Sequence, residues 1–329
     1  MRTAIHFTVI RRASLTVTAV IFAFISLTEL PSAPSTQPAS PANPVKVALV
    51  QYQVRRADYS SEARFAASVG GLTAQAAAEG ARIVIFPEYI NVFLAAVPLA
   101  EQLTAAGSLP QILQLLQQRH GRPVSLPEYL RIQSADTRAI MDRVWGRLAR
   151  RHKLWILAGS SFVAEGAELY NRAFVYNPDG QVVYRQDKVF LTPFEKETAR
   201  LSPGRRAEAR VFEAAGVDIA LTLCRDTFFD QWNGQMKRAD LWVDLKANGV
   251  EFDQQARQIF TEALPERIAE TEVPYGATVC LTGRFFDLFW EGRSSLTVPA
   301  DTAKGYKTIK KTEKADEEEL LLIEIAAES

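Results

Sequence analysis

Three reactive side chains in this sequence each stand at the end of a segment that reads as a strand. Cys224 ends the run Ile219 to Leu223 inside DIALTLCRDTFFD, Glu88 follows ARIVIF through Pro87, and Lys188 opens KVFLTPFEKE. A thiolate is a strong nucleophile, a carboxylate can move a proton to and from it, and an ammonium can hold an oxyanion. Asp226-Thr227 followed by Phe228-Phe229 reads as a helix start. That would set Cys224 at a helix N-terminus and lower its thiol below the ordinary value of about 8.5. Each residue also fits a plain structural role, the cysteine as a small core residue and the two charges as solvated groups after strands. Only their combination separates the two readings.

Composition narrows the chemistry. The 329 residues are 47% hydrophobic and 23% charged, which suits one large α/β domain or two small ones. Lys+Arg and Asp+Glu are both 38, and the one basic stretch, residues 304–314, is short and interrupted. This balance argues against a nucleic acid partner. Two cysteines and three histidines, scattered and without a Cys-x-x-Cys or His-Glu-x-x-His, do not make a thiolate or imidazole metal site. His120 and His152 fall in no motif that would make either the base of a cysteine–histidine hydrolase. No cofactor is expected.

The elements that must position the three residues alternate along the chain. Residues 45–52, 81–86, 154–163, 169–176, 181–185, 210–214, 218–223, 241–244, 276–282, 293–298 and 318–325 read as strands. Residues 62–79, 98–118, 135–152 and 254–270 read as helices, the third capped by Ser134 and the last bent near Pro265. Pro123 and Pro127 mark 120–130 as loop, Asn177 to Gly180 as a turn, and 301–317 as a charged exposed connection. Strands alternating with helices, interrupted by hairpins, imply a mixed-sheet α/β sandwich with helices outside. Glu88 then lies at the C-terminal edge of a sheet, where open α/β sheets take their ligands.

Ahead of this domain, residues 1–30 carry Arg2, Arg11 and Arg12 before the apolar run 13–27, the pattern of a signal peptide or a retained N-terminal anchor. Residues 31–44 (PSAPSTQPASPANP) form a Pro/Ser/Ala-rich linker. The expectation is an exported protein, periplasmic, secreted or membrane-anchored, whose folded domain covers 45–329.

Phe86-Pro87-Glu88, then Tyr-Arg-Gln-Asp-Lys188 followed by Leu-Thr-Pro-Phe-Glu, then Cys224 with Asp226 two residues on, resemble the nitrilase superfamily of carbon–nitrogen hydrolases over about 45–325. The resemblance implies a four-layer α-β-β-α sandwich with two mixed sheets, assembled as a homodimer or larger homo-oligomer. It implies Cys224 as nucleophile, Glu88 as acid and base, and Lys188 with the backbone N–H after Cys224 as oxyanion donors. A second glutamate supports the lysine in many relatives, here Glu195 or, in another register, Glu197. Arg225 stands where amidase branches often carry Tyr and nitrile-hydrolysing branches Trp-Glu, which points to an amidase-like branch acting on small linear amides, with Arg225 a candidate, beside Glu195, for substrate or oxyanion support through a contact left open. An N-acyltransferase using the same acyl-enzyme is the alternative; so is a non-catalytic binding protein with a Cys224–Cys280 disulfide. On the hydrolase reading Cys280 belongs to the core, and Phe93, Phe194, Phe228 and Phe285 hint at an apolar pocket.

Overall fold

The structure is a computed structural model that describes residues 44–103, 107–249, 253–271, 273–300 and 305–326. The expected signal or anchor at 1–30 and nearly all of the linker at 31–44 lie outside the described residues.

Strand β1 (Val45–Val54) is rich in β-branched residues and alternates its faces. Beside it lie β2 (Ile83–Phe86), β3 (Trp155–Glu165), β4 (Glu168–Tyr176) and β5 (Val182–Asp187). On the other edge β1 pairs antiparallel with β13 (Glu319–Ile325). A second set comprises β6 (Phe212–Ala214), β7 (Val217–Leu223), β8 (Leu241–Lys246), β9 (Tyr275–Phe285), β10 (Leu288–Trp290), β11 (Ser295–Pro299) and β12 (Tyr306–Lys311). In each set a parallel trio is flanked by antiparallel strands: β1, β2 and β3 in the first, β7, β8 and β9 in the second. Both sheets are therefore mixed.

Pleating decides the layers. Val47 and Leu49 of β1 and Ile83 and Ile85 of β2 share one buried core with Ile219 and Leu221 of β7 and Val243 and Leu245 of β8. The alternate residues Ala48, Val50, Val84 and Phe86 pack outward on helix α1 (Glu62–Ala78) and on a long helix at 126–152. Ala220 and Trp242 pack on the opposite outer layer, against Leu264 and Ile268 of the helix at 254–271. The result is the expected α-β-β-α sandwich. Its two sheets are not separate, however: Tyr52, Gln53 and Val54 pair with Leu281, Thr282 and Gly283, which joins them into one continuous path at the end of β1.

Several boundaries differ from the sequence reading. The helix expected at 98–118 is broken: a 3-10 segment (Val92–Leu99) leads into α2 (Ala100–Leu103), and α3 (Leu109–His120) starts afresh at Ser108. Helix α4 runs Leu126–His152, capped by Ser125 and not by Ser134. Pro127 sits in its first turn, where an amide hydrogen is not needed, so the proline read as a loop marker is a helix starter. Ser134 instead accepts a hydrogen bond from the Ala164 amide. Short α5 (Asn233–Met236) and the Pro265-containing α6 (Gln254–Thr271) complete the helices. The connection expected at 301–317 contains β12, an exposed edge strand hydrogen-bonded to β11.

The loop after β2 is held by its neighbour. Strand β3 shifts register between Leu157 and Ser160, and Gly159 there has φ +67°. A Cβ on Gly159 would lie 2.1 Å from the Pro87 carbonyl oxygen, so only glycine lets β3 approach the peptide that precedes Glu88. Ser160 then accepts from the Tyr89 amide at 3.0 Å, which supports Tyr89 at φ +65°. Gly159→Ala should cost on the order of 2–3 kcal/mol from the positive φ and the clash together. Urea denaturation would report it as a lower midpoint with an unchanged slope.

Candidate active site

Glu88, Lys188, Glu195 and Cys224, 136 residues apart at their extremes by sequence number, meet at one end of the sandwich where β2, β5 and β7 finish. Lys188 follows β5 directly, and its backbone N–H donates to the Asn171 carbonyl at 2.8 Å. The ammonium is fully buried between two carboxylates, 2.8 Å from Glu88 Oε1 and 2.9 Å from Glu195 Oε2. Asn171 Nδ2 bridges the same pair, donating to Glu88 Oε1 at 2.9 Å and to Glu195 Oε1 at 2.8 Å. Tyr89 Oη donates to Glu195 Oε1 at 2.7 Å, and the Thr192 amide to Glu195 Oε2 at 2.7 Å. Glu195 is thus saturated and held in place. Glu197 is exposed, which settles the register in favour of Glu195 as the lysine's partner.

Glu88 is different. Its Oε2 is buried and makes no hydrogen bond among the described residues. Burial raises the carboxyl to about 7 against the opposing pull of the Lys188 charge, with Glu195 adding to the rise. Desolvation outweighs the Lys188 cation, and Glu88 titrates near neutral pH. For Lys188 burial favours the neutral amine, but the two carboxylates outweigh it and the ammonium is held charged. Desolvation also opposes ionisation of Glu195, yet the Lys188 charge and the Thr192 amide prevail and lower it.

Cys224 lies in a single 3-10 turn, Cys224–Phe228, and not at the start of an α-helix. Phe229 is extended, so no run of aligned peptides builds a dipole. The expected lowering of the thiol does not occur. Burial instead raises it to about 12, with the Glu88 charge adding to the rise and Lys188 and Lys246 opposing it. The cysteine adopts φ +50°, a strained conformation for a residue with a Cβ, and its amide donates to Asp244 Oδ1 at 3.0 Å. Asp226 is buried and accepts from the Phe190 amide at 2.7 Å and the Val189 amide at 3.0 Å, tying the Cys224 turn to the loop after Lys188.

Sequence reasoning missed Asn171, Asp244 and Lys246. The signal existed in LWVDLK, where two opposite charges two residues apart share one face of a strand buried throughout. Arg225 is half-buried and, with Phe190, Lys196 and Phe229, lines a cleft of about 470 Å³. Phe93, Phe194 and Phe285 do line an apolar cavity of about 120 Å³, together with Tyr89, Phe162 and Trp290. Phe228 lies apart from them, packed edge-on against Phe260. Cys224 and Cys280 are both free and buried, with no disulfide between them. His152 ends α4; the side chain of His120 lies outside the described residues.

In backbone architecture the chain is similar to an amidase from Nesterenkonia sp., with a TM-score of 0.62 at 19% identity over 89% of this chain and 94% of that one. A mutant of the Nesterenkonia AN1 amidase, described as a nitrilase-superfamily protein, aligns with a TM-score of 0.60 at 19% identity, covering 86% of this chain and 91% of that one. These likenesses define the fold as that of nitrilase-type sandwiches. The carbon-nitrogen hydrolase family model matches residues 46–253, and the chain belongs to that family. Among curated proteins, 2-oxoglutaramate amidase of Bacillus subtilis is 30% identical over 86 residues, and the probable hydrolase YhcX of the same organism 33% identical over 84. Each match covers 26% of this chain, and 32% and 16% of the respective relatives' own lengths.

Removing the buried cation leaves two carboxylates in a dry site. Lys188→Met should cost on the order of 3–5 kcal/mol near pH 8, where both groups carry charge. The cost should shrink toward pH 5, because protonation removes the unpaired charges. Urea denaturation at the two pH values measures both effects.

Proposed function

We propose that the protein is an exported amidase that hydrolyses the carbon–nitrogen bond of a small linear amide through a thioester on Cys224. The observation that carries this reading is the unpartnered Glu88 Oε2, buried in the same ion cluster as Lys188 and electrostatically coupled to Cys224. With its thiol at about 12 and Glu88 at about 7, the resting pair is a neutral thiol beside a carboxylate. Cys224 Sγ attacks the amide carbon as its proton passes to Glu88 Oε2. The oxyanion is met by Lys188 Nζ and the Arg225 backbone N–H, each well-placed donor contributing about 3–4 kcal/mol. Glu88 then gives the proton to the leaving nitrogen, the C–N bond breaks, and ammonia or an amine departs. Water, deprotonated by Glu88, attacks the thioester, and the thiol returns with release of the carboxylic acid.

The similar Nesterenkonia amidase structures support the nucleophile. In one, acrylamide has undergone Michael addition at that protein's active-site cysteine, and another is a complex with butyramide. The basic and apolar pattern of residues 1–30 supports export to the periplasm or beyond, by a cleaved signal or a retained anchor. A homodimer or larger homo-oligomer is proposed with it, on the resemblance to the superfamily alone.

Ammonia release from a panel of simple amides tests the reading. Cys224→Ser should lower kcat at least about 10³-fold, and Glu88→Gln comparably. For the wild type, kcat/KM should rise with pH through about 7 and then level, because Glu88 accepts the thiol proton only when ionised. Undiminished turnover by Cys224→Ser, or an acid limb absent between pH 5 and 8, contradicts it.

A further inference from the structure

Lys188 is not the sole cation buried beside Cys224. Lys246, the last residue of β8, is also fully buried, and its Nζ lies 2.8 Å from Asp244 Oδ2. The ammonium sits over two aromatic faces, 5.2 Å from the Phe228 ring centroid and 5.4 Å from that of Phe260. Phe228 belongs to the Cys224 turn and Phe260 to α6, so the cation is enclosed by the helical layer and by the turn it serves. Its carboxylate partner uses the other oxygen, Oδ1, to accept the Cys224 amide hydrogen.

A buried charge pair of this kind is an expensive way to fill space; apolar residues of the same volume commonly do as well or better. The position of the pair gives it a purpose. Asp244 must be ionised to be the strong acceptor that holds the strained Cys224 backbone, yet burial pushes its carboxyl up and the Lys246 charge opposes that. Lys246 in turn is kept charged by Asp244 in spite of its own burial. The pair stands on the second sheet, opposite the Glu88–Lys188–Glu195 cluster on the first.

We propose that Lys246 is a positioning residue for the reaction: it holds Asp244 as the carboxylate that anchors the Cys224 amide, and it adds a second positive charge toward the sulfur. The inference rests on Cys224 being the nucleophile. The ionisable groups acting on that sulfur are Glu88 and Tyr89 after β2, Lys188 after β5, and Asp244 and Lys246 on β8; Cys280 of β9 faces Lys246 across the strand pair. Among them the cations Lys188 and Lys246 favour the thiolate, while Glu88 and Asp244 oppose it. Lys246 favours the thiolate and Asp244 opposes it, while Asp244 Oδ1 is committed to the Cys224 amide. Sulfur negative charge, developed as the thiol proton leaves, is thereby flanked by one ammonium from each sheet.

The test is the pH profile of Cys224 alkylation by iodoacetamide in the purified full chain, read by mass spectrometry on the peptide that carries Cys224, apart from that of Cys280. Lys246→Met should slow alkylation at pH 8 by about 10-fold and move the rise of the profile upward by about one pH unit. Lys246→Arg should retain most of the wild-type rate. The double variant Asp244→Asn/Lys246→Met removes both charges and should melt near the wild type, yet still alkylate about threefold more slowly or worse. It decides the matter if Lys246→Met alone fails to fold. Profiles of the folded variants that superimpose on the wild type overturn the proposal. Alkylation needs no turnover, so this outcome is separate from the amide hydrolysis of Cys224→Ser, on which the nucleophile assignment stands or falls.

Discussion

One buried ammonium, that of Lys188, sets the terms for everything around it. An isolated charge so far from water would shed its proton, and here two carboxylates prevent that. Their charges must in turn be distributed, and the distribution is unequal. Glu195 receives Tyr89, Asn171 and the Thr192 amide and stays ionised. Glu88 shares one oxygen with Asn171 and Lys188, keeps the other free, and rises to near neutrality. Two glutamates against one lysine therefore stand differently, one as a fixed counter-ion and one as the group proposed to carry a proton.

The sandwich exists to bring these groups to a single edge. Glu88, Asn171 and Lys188 come from the first sheet; Cys224, Asp244 and Lys246 come from the second. The inner core of Val, Ile and Leu residues between the sheets fixes their separation, and the β1–β9 pairing locks the sheets together. Strain gathers at the same edge, with Tyr89 and Cys224 both at positive φ. Each such residue costs about 1–3 kcal/mol and persists only where the surroundings over-determine it. Ser160 does this for Tyr89 and Asp244 for Cys224.

Much of this was legible in the sequence because strands that end in a charged or thiol residue announce themselves. Glu88 and Cys224 each break an apolar run and Lys188 closes a strand with apolar alternate positions; the alternation of strand and helix patterns implies a mixed-sheet sandwich, and the family resemblance implies its four layers. What escaped detection was polarity hidden inside strands. Asn171, Asp244 and Lys246 lie within strands, where a polar residue is ordinarily read as facing solvent; only tertiary packing turns those positions inward. The same limit explains Cys224. A strand followed by Asp-Thr suggested a helix dipole, whereas the chain makes one 3-10 turn and is governed by desolvation. Prolines misled in the opposite sense at α4, since Pro127 serves the first turn of a helix as well as it serves a loop.

The central claim, that Cys224 carries the acyl group of an amide in a pocket where Glu88 shuttles its proton, is open to direct observation. Acid-quenched mixtures of the enzyme with a slowly turned-over amide, analysed by intact-protein and peptide mass spectrometry, should show the acyl mass on the peptide containing Cys224. The adduct should be released by hydroxylamine, as thioesters are. An acyl group found on Cys280 or elsewhere, or turnover with no acyl adduct at any quench time on a substrate that releases its amine in a burst, would contradict it.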